Sequence, residues 1–79
     1  MHDLVWDKRM IAEFIEQACL TDEEVVVLKD LAYDKSIVET AMTYHMSEAK
    51  VSDIRKRLRD KYDRVQPYSN VLPPRINKK

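Results

Sequence analysis

The chain has 79 residues, no net formal charge, a charged fraction of 35%, one cysteine and no glycine. Such a length makes one small domain that folds alone with little margin, and no apolar run approaches the ~20 residues needed to span a bilayer. Asp3, Asp7 and Glu13 break up any apolar stretch near the N-terminus, so no signal peptide is expected, and the lone cysteine excludes an internal disulfide and points to a reducing cytoplasm.

In chain order, the spacing predicts four helices. The first runs from about Asp3 to Ala18, where Trp6, Met10, Phe14 and Ala18 recur every four residues with Ile11 and Ile15 beside them. Cys19 follows, expected to be a small buried hydrophobe. Thr21 caps the second helix, and "TDEE" has the form of a capping box through Glu24. Val25, Leu28, Leu31 and Ala32 supply its buried face. Ser36 with Glu39 forms another capping box and opens a short third helix ending near Tyr44. Ser47 caps the fourth, which runs to about Asp63 or Arg64 on an apolar stripe of Val51, Ile54, Leu58, Tyr62 and Val65. Pro67 ends it. The remainder holds three prolines and no periodicity, and is expected to be an extended tail packed through Tyr68, Val71 and Leu72.

The neutral total conceals an asymmetry along these elements. Residues 1–49 carry four bases against eleven acids, a net of −7, while residues 50–79 carry ten bases against three acids, a net of +7. That polarity suggests a basic surface aimed at something anionic. The competing reading is a solvated helix laced with ion pairs, for which Asp53 with Arg57 and Asp60 with Arg64 have the favourable i, i+4 order.

The turn between the third and fourth helices carries the most information. Two helices joined at a steep angle by a three- or four-residue turn approach closely, so a small residue is needed at the crossing, and Ala41 supplies it. The turn also needs a residue that tolerates positive φ. That position falls on His45, a workable substitute for glycine. Met46 plugs the turn. Other chemistry is nearly absent. His2 and His45 have no partners at metal-ligand spacing, no nucleophile–base pair stands out, and neither enzyme activity nor a metal or cofactor is expected.

Leu20, Thr21, Glu24, Val27 and Leu28, then Ser36, Glu39, Ala41, Ser47 and Val51, form one pattern over residues 20–64. By these residues the segment resembles region 4 of bacterial sigma-70-type factors and the similar DNA-binding domain of LuxR/NarL-type regulators. A preceding helix leans toward the sigma arrangement, whereas Asp34 and His45 stand where LuxR-type domains usually have glycine. The spacing and caps give an all-α fold, a four-helix domain over residues 1–66 with an extended tail over 67–79 that matches neither family, and the resemblance implies a helix-turn-helix over about 36–64 of the winged-helix-like or homeodomain-like all-α kind. It also implies double-stranded DNA as partner, with the fourth helix in the major groove. Glu48, Ala49, Lys50, Ser52, Asp53 and Lys56 then match the base-reading face. Ser47 caps the helix and offers a backbone N–H to phosphate, and Arg55, Arg57 and Arg59 lie toward the phosphates. The two acids are compatible with this, because a carboxylate accepts a hydrogen bond from cytosine. Equally, Glu48 favours the positive helix N-terminus and Asp53 pairs with Arg57. The expected role is a cytoplasmic sequence-specific transcription regulator, phage-type or acting with RNA polymerase. The alternatives are a protein-interaction module docking on polymerase or a sigma factor, and a DNA-packaging or recombination accessory. No membrane is expected, and the oligomeric state, a dimer included, stays open.

Overall fold

The structure is a computed structural model and describes residues 4–75. It is all-helical: α1 spans Lys8–Ala18, α2 Asp22–Ala32, α3 Ile37–Tyr44 and α4 Glu48–Val65, with a 3-10 turn at Gln66–Tyr68. Side-chain caps explain the starts. The hydroxyl of Thr21 accepts from the Glu24 N–H while the Glu24 carboxylate accepts from the Thr21 N–H, and Ser36 with Glu39 repeats the arrangement. Both boxes satisfy donors that a helix N-terminus leaves open.

α1 begins later than its periodicity suggests. Asp7, in extended conformation, caps it by accepting from the Met10 N–H at 2.9 Å. Trp6 precedes the helix yet still continues the apolar stripe, because its ring packs on Phe14 and Tyr62 with centroids 6.0 and 5.7 Å apart. Asp3 lies outside the described residues.

The stops of the first three helices share one device. Cys19, Asp34 and His45 have φ of 52°, 62° and 56°. In each case the next residue donates its N–H five residues back: Leu20 to Ile15, Lys35 to Asp30 and Met46 to Ala41. These are left-handed helix ends of the Schellman kind, normally glycine positions. A chain without glycine makes them with Cys, Asp and His. Cys19 is therefore exposed at a helix end, contrary to the expected burial, because the reversal turns its side chain outward.

The core joins Met10 and Phe14 of α1, Val27 and Leu28 of α2, Ala41 of α3, and Val51, Ile54, Leu58 and Tyr62 of α4. α4 packs against α1, α2 and α3. On α2 the buried set is Glu24, Val27, Leu28 and Leu31. Val25 and Ala32, expected inside, are half-buried. The true stripe has i, i+3, i+4, i+7 spacing, but its first member is a carboxylate, so a reading by hydrophobicity shifts the frame by one residue.

The tail packs on the domain, as its apolar residues suggested, by folding back along α4. Leu72 enters the core, the Tyr62 hydroxyl donates to the Pro73 carbonyl, and the Gln66 amide donates to the Leu72 carbonyl at 3.2 Å. Ser69 donates to Glu13 at 2.9 Å, and the Arg75 guanidinium grips Asp63 at 2.8 and 2.5 Å. Val71 is half-buried, but Tyr68, expected to pack, is 87% exposed because it sits on the outer side of the 3-10 turn.

Candidate nucleic-acid interface

α3 and α4 are joined by His45, Met46 and Ser47. Ala41 is buried between them and Met46 is half-buried over the turn. Ser47 caps α4 by accepting from the Lys50 N–H at 3.0 Å. With 3.6 residues per turn, burying Val51, Ile54, Leu58 and Tyr62 sorts the other side chains of α4 into three strips.

The outer crest carries Ala49, Asp53, Lys56 and Asp60, all exposed. Its charges alternate. The expected pairs between Asp53 and Arg57 and between Asp60 and Arg64 are not formed among the described residues. Arg57 instead turns to α2.

The strip facing α2 holds Lys50, Arg57 and Lys61, and each meets an acid of the first turn of α2. Lys50 Nζ lies 2.7 Å from Glu23 Oε2, Arg57 lies 3.7 Å from Glu24 Oε2, and Lys61 Nζ donates to both Glu24 oxygens at 2.8 and 3.0 Å. Glu24 is 1% exposed. Burial alone raises its pKa; the Lys61 hydrogen bond, the Thr21 N–H and the charges of Lys61 and Arg57 together outweigh that effect and hold it below its ordinary value.

The strip toward α3 and the α2–α3 turn holds Glu48, Ser52, Arg55 and Arg59. Arg55 folds inward and donates to the Lys35 carbonyl at 2.8 Å. Burial lowers its pKa, and the nearby Asp30 carboxylate opposes that shift. Asp30 also accepts from the hydroxyl of fully buried Thr40 at 3.0 Å. Arg55 thus ties α4 to the start of α3.

The ten residues picked out by sequence therefore divide. Ser47 is the cap. Glu48, Ala49, Asp53, Lys56 and Arg59 are exposed, and Ser52 is half-buried. Lys50 and Arg57 are exposed but ion-paired to α2, and Arg55 is engaged by backbone. Lys56, Arg59 and Arg64 carry no ion pair among the described residues. Sequence reasoning missed Glu23 and Asp30 as partners of this helix, missed Lys61 on the helix as the partner of Glu24, and read Glu24 as a cap alone. The signal for Glu24 was its place in the 24/27/28/31 frame.

Beside the turn lies an open groove of about 510 Å³, lined by Val38, Ala41, Met42, His45, Met46, Ser47 and Glu48. Val38 and Met42 are exposed along its α3 wall. Among the described residues no group of His, Cys, Asp and Glu is placed to hold a metal, and no helix is long and apolar enough to cross a membrane. No protein-family model matches the chain, and no curated protein or solved structure is significantly similar to it.

Proposed function

We propose that α3, the His45–Ser47 turn and α4 form a helix-turn-helix, and that the chain is a cytoplasmic, sequence-specific DNA-binding transcription regulator of the sigma region 4 type, with RNA polymerase as a second partner. The observation that carries this reading is the turn. A left-handed His45, a buried Ala41 at the crossing and a Ser47-capped α4 leave one long helix with a polar crest standing clear of the core. Such a crest fits the B-DNA major groove, whose base edges are read by polar side chains. Asp53 and Lys56 are the base-reading candidates. Arg59, with Arg64 further along, supplies salt-dependent phosphate contact.

A second reading is a protein-interaction module. It draws support from the same helix, because α2 already neutralises Lys50, Arg57 and Lys61, and from the apolar groove over Val38 and Met42.

Selection from a random-sequence duplex pool, repeated across a salt series, separates the two. The DNA reading expects an enriched motif and affinity that falls steeply with salt. No binding at low salt by the folded protein favours the interaction module. In a parallel selection with Asp53→Ala, relaxed preference at one base pair assigns Asp53 to base reading. Unchanged preference with uniformly tighter binding shows that it only repels phosphate.

A further inference from the structure

We propose that Glu23 sets the DNA affinity of this chain by occupying Lys50, standing where a phosphate binds in the complex. The inference rests on the DNA-binding reading above and adds regulation to it.

Lys50 lies in the first turn of α4, at the end of the helix that enters the groove. Its ammonium meets the Glu23 carboxylate at 2.7 Å. The neighbouring acid, Glu24, is buried and fixed by Lys61 and the Thr21 N–H, so it is part of the fold. Glu23 differs. Its side chain is 52% exposed and that of Lys50 47%, and nothing else in the described structure holds the pair together. A solvent-exposed pair of this kind is weak, so a phosphate can displace the carboxylate. Carboxylate and phosphate both present oxygen acceptors to an ammonium, which makes the displacement an exchange of like for like.

Two consequences separate this exchange from simple repulsion between Glu23 and DNA. First, the effect of Glu23 passes through Lys50 and requires it. Second, the exchange blunts salt dependence. A lysine that neutralises a phosphate releases a condensed counterion, but the Glu23 it abandons takes a cation from solution. Neutralising Glu23 therefore steepens the salt slope as well as tightening binding.

The test is a double-mutant cycle: the parent, Glu23→Gln, Lys50→Gln and the double variant, titrated onto a mixed-sequence duplex by fluorescence anisotropy at several salt concentrations. Both side chains are exposed, and circular dichroism verifies that each variant is folded. Glu23→Gln is expected to bind roughly two- to fivefold tighter than the parent, with a slope steeper by up to about one unit. In the Lys50→Gln background the same change is expected to do nothing. Binding by Glu23→Gln where the parent and the double variant show none also supports the proposal, whereas binding by the double variant as well overturns it. Equal tightening in both backgrounds overturns it in favour of plain repulsion. A parent that binds, with a Glu23→Gln variant that binds no better, overturns this inference and leaves the DNA reading standing. Failure of both proteins to bind at the lowest salt overturns the inference and the DNA reading together.

Discussion

At the scale of single residues, two groups bear an unusual share of the structure. The first is the trio Cys19, Asp34 and His45. Asp and His visit the left-handed region more readily than most residues, whereas Cys has no such preference. Each saves the chain a glycine and costs it Cβ crowding against the backbone. Cys19→Gly is therefore expected to stabilise the protein by up to ~1 kcal/mol, and His45→Gly by less. Urea midpoints of the two variants check this, and a lowered midpoint for Cys19→Gly contradicts it. The second is Glu24, which is buried, closes the cap of α2 and receives Lys61. Its carboxyl is held below its ordinary value of 4.5. The stabilisation it gives is thus complete above about that value and drains away as pH falls through the lower folded one. Glu24→Gln is expected to cost about 1–3 kcal/mol at neutral pH and much less in acid, where the parent's own carboxylate is protonated. Denaturant melts of both proteins at pH 7 and pH 3 should therefore converge as pH falls.

At the scale of elements, the helices were legible and their contacts were not. Capping boxes are local: a hydroxyl and a carboxylate three residues apart meet in any helix that starts there, so Thr21/Glu24 and Ser36/Glu39 could be read directly. The stripe of α4 was equally plain, since four apolar residues share one face. The burial frame of α2 was hidden by Glu24, and the partners of Lys50, Arg57 and Lys61 depend on how α2 crosses α4, which no spacing within either helix encodes. The tail was harder still. Its prolines suggested an extended tail packed through Tyr68, Val71 and Leu72; Leu72 does fill the core, but Tyr68 stays in solvent, and the grip of the Tyr62 hydroxyl, Gln66 and Asp63 on the tail had no signal in spacing. Leu72→Ala is accordingly expected to destabilise the whole domain by ~2–4 kcal/mol. A tail acting as a loose appendage would leave the thermal midpoint where it was.

At the scale of the molecule, part of the opposite charge of the two halves is taken up within the fold, because Glu23 and Glu24, opening α2, neutralise Lys50, Arg57 and Lys61 on one side of α4. What remains for a polyanion is narrower than the sequence implied. Arg59→Ala is expected to leave stability unchanged and, under the proposed DNA-binding function, to weaken binding to all sequences alike and flatten the salt slope by roughly one unit. Arg55→Ala is expected to lower stability by about 1–3 kcal/mol, since it cuts the tie to the Lys35 carbonyl. Thermal melts paired with salt titrations check both. Identical melting of the two variants would remove the structural role of Arg55.

One consequence follows from the position of α4 as a wall shared by every other helix. Its central amides cannot open without parting α1, α2 and α3 from their common support. Hydrogen exchange there is expected to proceed through unfolding of the entire domain, with protection greatest around Ile54 and Leu58. Under the proposed function, the helix that meets DNA is consequently formed before the encounter. Association then carries little penalty for ordering the backbone, and the heat-capacity change reflects the contact area alone.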